Sequence, residues 1–294
     1  MNYPIALIHE HVTIDLSAAK HDPDARQADF EASRAELAAM AAKGLRLICD
    51  QTNLGMGRDP EYCRRMSEAT GIEILLATGF YKEPFYPPLV ESSSERELSD
   101  LMIRDLRDGI DGSPFRASVI GEIGTGKGRP TELEAKVFRA AARAQAETGA
   151  PISTHTTLGE LGLEQIAILR GGGADTSRVV LSHTDLKNDF DYLLALLDEG
   201  VSLSFDTIGK KSYLSDETRA DFIGRLFERG YGDKIMLSLD ITRRSHLADR
   251  GGIGYSYLVD SFLPLLRERG VAEEDIGKAI SLNASRFLGK ELSL

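Results

Sequence analysis

The stretch PISTHTTLGELGLEQIAILRGGGADTSRVVLSH, residues 151–183, contains the pattern that decides the fold. It begins and ends with a short apolar, β-prone run, and the longer segment between these runs has helical patterning. Similar runs recur along the whole chain and predict eight strands: IALIH, LRLICD, IEILLATG, RASVIGEIG, PISTH, RVVLSH, VSLSFD and KIMLSLD. Nearly continuous apolar strands that alternate with helices predict a parallel sheet covered by helices.

Helix boundary signals support this alternation. Thr131 and Glu134 form a capping box after Pro130, which predicts a helix that ends near Gly149. Glycines that suit helix ends precede most of the later strands: Gly44, Gly71, Gly149, Gly200 and Gly230. Eight such repeats predict an α/β protein with a closed (β/α)8 TIM barrel. A doubly wound open sheet is the alternative, but no GxGxxG sequence follows the first strand.

The chain of 294 residues is interpreted as a single domain, residues 1–294. The barrel core is expected to span about residues 3–270, with C-terminal helices in 271–294. No linker rich in proline or serine divides the chain.

Composition restricts the class of partner. The net charge of −11 argues against nucleic acid and against an anionic membrane, because phosphate would be repelled by most of the surface. Cys49 and Cys63 cannot form a disulfide framework and suit a reducing compartment. No apolar stretch approaches the length needed to span a bilayer. We therefore expect a cytoplasmic protein whose partner is a small molecule.

Polar residues stand at the ends of the predicted strands, where the catalytic groups of a (β/α)8 barrel lie. These strand-end residues are His9, His11, Glu122, His155, His183 and Asp240. The first two are two residues apart on an extended chain, so their imidazoles can point to the same side. Taken alone, that pair fits a polar strand-to-loop corner equally well. The remaining histidines, His21 and His246, fall in loops and are expected to be solvated or to support the site from outside.

Four imidazoles and two carboxylates around one barrel mouth predict a metal site. Buried acidic side chains need a partner or a metal, and a pair of divalent cations would neutralise them. Imidazole with carboxylate suits zinc, manganese, iron or cobalt better than calcium or magnesium. A thiolate zinc site is excluded because no cysteine lies near these strand ends.

These motifs resemble the amidohydrolase superfamily, and more closely its phosphotriesterase family, in particular the bacterial phosphotriesterase-homology branch. The sequences that carry the resemblance are IHEHVTIDLS, VIGEIGTGKG, PISTHTTLG, VLSHTDLK, FDTIGKKSY and MLSLDITRRSHL. The resemblance extends from about residue 5 to NASRFLG at residues 283–289. Relatives are often homodimers, although no apolar stripe in this sequence requires one.

The resemblance implies a role for each strand-end residue. His9, His11 and Asp240 would hold the more buried of two divalent metal ions. His155 and His183 would hold the more exposed one. Glu122 would bridge the two, at a position where many members of the family carry a carboxylated lysine. Zinc is favoured, with manganese, cobalt or iron as alternatives.

Two metals sharing one site imply a hydrolytic mechanism. A water that bridges the cations loses its proton near neutral pH, and the hydroxide attacks a carbonyl carbon or phosphorus. Asp240 would accept the proton and pass it to the leaving group. Asp185, two residues after His183, either orients an imidazole or caps the following helix.

Three loop residues are predicted to contact the substrate. Tyr81, in the aromatic loop ATGFYKEPFYPP, either places its phenol over the metals or packs the loop against the barrel. Lys210 and Arg243 lie close to the ends of the seventh and eighth strands. Both are expected to bind an anionic group on the substrate, because cations at the mouth of an acidic protein suit carboxylate and phosphate.

Several functions are consistent with these strand-end and loop residues. The favoured one is an enzyme that hydrolyses a lactone or carboxylate ester, including an acidic or phosphorylated sugar lactone. A phosphotriester or phosphodiester hydrolase is the alternative. A metal-binding barrel without catalysis would be expected to have a broken ligand set, whereas all six positions are intact. An aldose–ketose isomerase is disfavoured by the order of the ligands.

Overall fold

Eight parallel strands form one barrel sheet in the computed structural model, which describes residues 3–292. The strands are β1 (Ile5–Glu10), β2 (Leu45–Asp50), β3 (Glu73–Thr78), β4 (Ala117–Thr125), β5 (Ile152–Thr156), β6 (Val179–Ser182), β7 (Ser202–Phe205) and β8 (Ile235–Leu237). Each strand pairs with the next one along the chain. The first and last strands meet where the His9 N–H donates to Ser238 Oγ at 3.0 Å. The predicted (β/α)8 barrel is confirmed.

Within residues 3–292, seven α-helices of at least nine residues connect successive strands, and three shorter α-helices follow the last strand. They are α1 (Phe30–Ala42), α2 (Pro60–Thr70), α3 (Glu95–Arg107), α4 (Glu132–Thr148), α5 (Gly162–Gly171), α6 (Phe190–Asp198), α7 (Asp216–Glu228), α8 (Leu263–Glu268), α9 (Glu273–Gly277) and α10 (Asn283–Leu288). Single helical turns at Ser17–Lys20 and Leu89–Ser92 lie in the loops after β1 and β3. Of the predicted C-terminal segment 271–294, residues 293 and 294 lie outside the described part.

The predicted boundaries of α4 are confirmed. The Thr131 hydroxyl accepts the Glu134 N–H at 3.1 Å, and the Glu134 carboxylate accepts the Thr131 N–H at 3.0 Å. The last helical residue is Thr148, and Gly149 caps the helix. Its φ of 72° is the left-handed conformation that glycine adopts without strain.

Alternation along the strands separates two regions of the core. In β1, Ile5 and Leu7 belong to the large cluster between the sheet and the helices. Ala6 and Ile8 belong to a smaller cluster in the barrel interior, which Phe287 of α10 also joins. This interior cluster fills the barrel below the strand ends, so polar side chains at those ends stand on an apolar floor.

The register shifts in the two strands that carry much of the polar cluster. Leu7 pairs with Ile48, but Glu10 pairs with Asp50, so β1 has one residue more than β2 over this span. A comparable shift lies in β4 beside Glu122. Because one extra residue moves the following side chains to the other face of a sheet, such shifts re-aim side chains at strand ends.

The eighth strand is shorter than its apolar run KIMLSLD suggests. It ends at Leu237, and after the Ser238 N–H, which donates to Phe205 O of β7 at 3.0 Å, the backbone leaves the sheet. The amides of Leu239 and Ile241 donate instead to the buried carboxylate of Glu10. Within the described residues 3–292, no helix is both long and apolar enough to cross a lipid bilayer.

Candidate active site

The carboxylate of Glu122 lies among four imidazoles at the C-terminal end of the barrel. Its Oε2 is 3.2 Å from His9 Nε2, 3.3 Å from His155 Nδ1 and 3.7 Å from His183 Nε2. Its Oε1 is 3.6 Å from His11 Nε2. These side chains come from β1, β4, β5 and β6, so the barrel brings together residues that are up to 174 positions apart in sequence.

Asp240 completes the group from beyond β8. Its Oδ1 lies 3.7 Å from His9 Nε2 and 3.6 Å from His11 Nε2. The structure therefore places all six predicted strand-end residues in one cluster. Their donor atoms form three overlapping triplets within 4.8 Å: His9, His183 and Asp240; His9, His11 and Glu122; and Glu122, His155 and His183.

The donor atoms of this cluster fit a divalent transition metal. The buried atoms His9 Nε2, His11 Nε2 and Glu122 Oε2 have no hydrogen-bond partner within residues 3–292. Buried polar atoms without partners are costly, and mutually facing nitrogen and oxygen donors are satisfied by a metal ion. A mixed imidazole and carboxylate set suits zinc, manganese, iron or cobalt. The assignment of individual ligands remains a prediction.

Hydrogen bonds to the other ring nitrogens prepare two imidazoles to bind a metal. The Thr52 hydroxyl donates to Thr13 O at 2.7 Å, so the same oxygen accepts the Nδ1–H of His11 at 2.8 Å. His183 Nδ1–H donates to Asp206 Oδ1 at 2.6 Å. In both rings Nε2 is then the nitrogen that faces the cluster and that a metal would bind.

Burial also favours neutral imidazoles at two positions. Burial lowers the pKa of His11 to about 4, and it lowers the pKa of His155 to about 4 as well. Both rings are therefore uncharged near neutral pH, the form that coordinates metals. For Glu122, burial alone would raise the pKa, but the imidazole of His9, whose own pKa is raised, holds it well below its usual range.

Asp206, which was not among the predicted site residues, holds His183 in place. Besides the side-chain bond, its Oδ1 accepts the His183 backbone N–H at 3.0 Å. His183 has a φ of 63°, an uncommon conformation for a residue other than glycine, and these bonds compensate for its strain. The sequence contained a signal, because Asp206 ends the seventh apolar run as the other site residues end theirs.

Asp185 serves neither of the two predicted roles. It is fully buried and accepts Arg219 Nε–H at 2.8 Å, while the Nη2–H of Arg219 donates to Thr207 at 2.8 Å. This ion pair fastens the loop after β6 to α7, and Asp206 orients the His183 imidazole in its place.

Glu10, between the two histidines of β1, fixes the backbone on both sides of Asp240. Its Oε1 accepts the Leu239 N–H at 2.7 Å and its Oε2 accepts the Ile241 N–H at 2.9 Å. Asp240 itself has a φ of 54°, so its strained backbone is held by the carboxylate that binds its two neighbours. Burial raises the pKa of Glu10 to about 7.

Replacement of Glu10 by glutamine is expected to lower turnover about 10- to 100-fold, the usual range for residues that orient metal ligands. The amide NH2 group of glutamine would face a backbone N–H, so Asp240 would lose its fixed position. Turnover and metal content per chain measure the effect.

Glu36→Gln is the matched control, because Glu36 also accepts two backbone N–H groups, from Ala248 at 2.7 Å and Tyr255 at 2.9 Å. It should lower the melting temperature and leave turnover close to that of the wild type. Equal loss of turnover in the two variants would contradict the positioning role of Glu10.

Two adjoining cavities of about 230 and 140 Å3 open above the cluster. They share walls formed by Lys20, Tyr81, His155, His183, Tyr213 and Asp240. The phenol oxygen of Tyr81 lies 3.3 Å from His155 Nε2, so this buried side chain stands beside the cluster. Cavities of this size suit a small molecule. Contact between Tyr81 and a substrate stays a prediction.

The two predicted anion-binding cations already have carboxylate partners. Lys210 forms an ion pair with Asp240 Oδ2, and Arg243 Nη1 lies 2.5 Å from Asp22 Oδ2 and 3.4 Å from Asp24 Oδ2. Lys210 and Arg243 both line the smaller cavity. Their contact with a substrate stays a prediction, because each would have to share or exchange its present partner.

The two remaining histidines differ in position. His21 is exposed, as expected for a solvated loop residue. His246 lines the smaller cavity, and its Nδ1 accepts the Thr242 N–H at 3.2 Å.

Comparison with known proteins gives one family over nearly the whole chain. The model of the phosphotriesterase family matches residues 2–288. The phosphotriesterase homology protein of Escherichia coli strain K12 is 43% identical over 281 residues, which are 96% of each chain. A crystal structure of that E. coli protein with phosphate in its active site superposes with a TM-score of 0.95, at 42% identity, covering 98% of this chain and 99% of that one.

More distant relatives have named hydrolytic activities. An N-acetyltaurine hydrolase of Dictyostelium discoideum is 31% identical, covering 98% of this chain and 80% of its own. The crystal structure of a lactonase from Listeria monocytogenes has a TM-score of 0.92 at 28% identity, covering 99% of this chain and 96% of that one. These relatives hydrolyse chemically different bonds.

Proposed function

The chain belongs to the phosphotriesterase family, and we propose that it is a metal-dependent hydrolase of a small lactone or carboxylate ester. The observation that carries the proposal is the cluster of four imidazoles and two carboxylates, with unpartnered donor atoms, at the floor of the cavities. The lactonase relative supports attack at a carbonyl carbon.

Two divalent cations would be held by the six side chains of the cluster. His9, His11 and Asp240 would form one set, because the Nε2 atoms of both imidazoles lie within 3.7 Å of Asp240 Oδ1. His155 and His183 would form the other, and Glu122 would contribute to both. When bound, the cations supply a Lewis acid for the substrate oxygen and lower the pKa of water in the site.

Asp240 performs the proton transfers in this proposal. Its Oδ1 faces the cluster, whereas its Oδ2 is held by Lys210. Burial would raise the pKa of Asp240, but the Lys210 ammonium and the His183 imidazole keep it below the usual value. The carboxylate is therefore ionised near neutral pH, so Oδ1 accepts a proton from the attacking water and delivers it to the leaving group.

Two other bonds have specific support among the relatives. Phosphate in the active site of the E. coli relative favours a phosphotriester or phosphodiester. The N-acetyltaurine hydrolases favour the amide bond of a small anionic compound. Hydrolysis of an ester, a phosphoester or an amide would use the same cluster and the same carboxylate, that of Asp240. The residues that line the cavities therefore determine which of these substrates is accepted.

The experiment combines elemental analysis with a substrate panel of sugar lactones, phosphorylated lactones, aryl esters, aryl phosphotriesters and N-acyl taurines. We expect about two transition-metal ions per chain, as in two-metal hydrolases, and turnover of at least one lactone or ester. Removal of the metal by a chelator should abolish turnover, and addition of zinc or manganese should restore it.

Each other outcome rejects a defined part of the proposal. Turnover of phosphotriesters or amides alone would replace the ester assignment. Turnover that survives complete removal of metal would reject the metal-dependent mechanism. Two bound metals without turnover of any member of the panel would favour a metal-binding barrel that does not catalyse these reactions.

A further inference from the structure

Four cationic side chains line the two cavities, and they differ in their partners. Lys210 and Arg243 pair with carboxylates, as described above. Lys20 and Lys82 line the larger cavity, and neither forms an ion pair with a carboxylate of residues 3–292. The only protein hydrogen bond of the Lys82 ammonium within that range is to the carbonyl oxygen of Glu83, at 3.3 Å.

An aromatic ring brings these two lysines to the same wall. The Nζ atoms of Lys20 and Lys82 lie 5.7 Å and 5.3 Å from the centre of the Phe85 ring. The Lys82 ammonium also lies 5.5 Å from the ring of Tyr81, which stands beside the cluster. Attraction between each cation and these rings holds two positive charges close to the cavity.

Neither ammonium group at this wall forms a direct ion pair with a carboxylate of residues 3–292. Desolvation lowers the pKa of both ammonium groups, and Arg243 and Lys82 lower that of Lys20 further. The carboxylates of Asp240 and Glu122 only partly offset this lowering. Two like charges near each other repel unless an anion lies between them.

We propose that Lys20 and Lys82 bind the anionic group of the substrate, a carboxylate, sulfonate or phosphate, while its scissile bond lies over the cluster. This inference rests on the proposed hydrolytic function. It differs from the sequence prediction, because it assigns the anion to the loops after β1 and β3 and leaves Lys210 to hold Asp240.

The larger cavity also has apolar lining that is suited to the uncharged part of such a molecule. Leu158 and Leu186, from the loops after β5 and β6, are among its lining residues. His155, His183 and Asp240 also line this cavity. An acyl compound with one anionic end therefore matches the cavity, whose lining has both cationic and apolar side chains.

Binding can be tested without turnover. Ethanesulfonate and the uncharged ethyl methyl sulfone, which have similar shapes, are titrated into the zinc-loaded protein by ligand-observed NMR. We expect the sulfonate to bind at least about tenfold more tightly, since charge-assisted hydrogen bonds to two ammonium groups are strong. The double variant Lys20→Met, Lys82→Met should lose this preference, and the double arginine variant should retain it.

Lys127→Met is the matched control, because Lys127 is an exposed lysine of the loop after β4 that lines neither cavity. It should bind both probes as the wild type does. Equal affinity of the wild type for the two probes, or a preference that survives in the double methionine variant, would overturn the proposal.

The same variants separate this proposal from the proposed function. For 4-acetoxybenzoate and its neutral amide, 4-acetoxybenzamide, the double methionine variant should raise KM about tenfold for the acid alone. If the double methionine variant hydrolyses both esters with the same relative KM values as the wild type, the lysine site is rejected and the hydrolase assignment stands. Lysine-dependent sulfonate binding by a protein that hydrolyses no member of the panel would reject the hydrolase and keep the site.

Discussion

Replacement of Asp240 by asparagine is expected to reduce kcat by about 10²- to 10⁴-fold, the range that general acid–base catalysis contributes. Asparagine has nearly the same shape and can still accept a hydrogen bond from Lys210, but it cannot accept the proton of the attacking water. The five other donor residues are unchanged, so we expect the fold and most of the bound metal to be retained.

The measurements are kcat for the best substrate of the panel, metal content per chain and the melting temperature. Asp105→Asn is the matched control, because Asp105 is also buried and paired with a cation, Arg58 at 2.8 Å, but lies on α3 away from the cluster. It should lower stability and leave kcat nearly unchanged. Full activity of the Asp240→Asn variant would contradict the assignment of proton transfer to this residue.

The barrel and the cluster could be predicted from sequence for the same physical reason. In a closed parallel barrel, all strands end at one rim, so residues at the ends of successive apolar runs converge without any knowledge of the loops. Glu122 shows where the rule is only approximate, since it lies within β4, three residues before the strand ends. The register shifts beside Glu122 and His9 are backbone features that the apolar pattern does not encode.

Contacts between loops could not be predicted in this way. Glu10 binds amides 229 and 231 positions away, and Arg243 pairs with Asp22 across 221 positions. Both contacts depend on loop conformations that no periodicity describes. The convergence of Lys20 and Lys82 on Phe85 depends on the path of two separate loops. The sequence therefore predicted cations at the mouth but not which of them lack partners.

Replacement of Glu122 by glutamine is expected to have the largest effect on metal binding. Glutamine has the same length but no charge, and it offers one carbonyl oxygen where the carboxylate offers two oxygens among four imidazoles, all within 3.7 Å. Because metal affinity depends on deprotonated, charged ligands, we expect about one metal ion or fewer per chain. Turnover should fall below detection, since two-metal chemistry would no longer be possible.

Elemental analysis after dialysis against zinc, together with kcat, tests this expectation. Glu134→Gln is the matched control: this buried glutamate accepts N–H groups of Gly126 and Thr131 beside the same strand, but it contacts none of the four imidazoles. This variant should weaken the N-terminal cap of α4 and leave two metals bound. Within residues 3–292, Glu122 is the one carboxylate that lies within 3.7 Å of all four rings. Two bound metals in its glutamine variant would therefore mean that the other side chains suffice and that the bridging assignment is wrong.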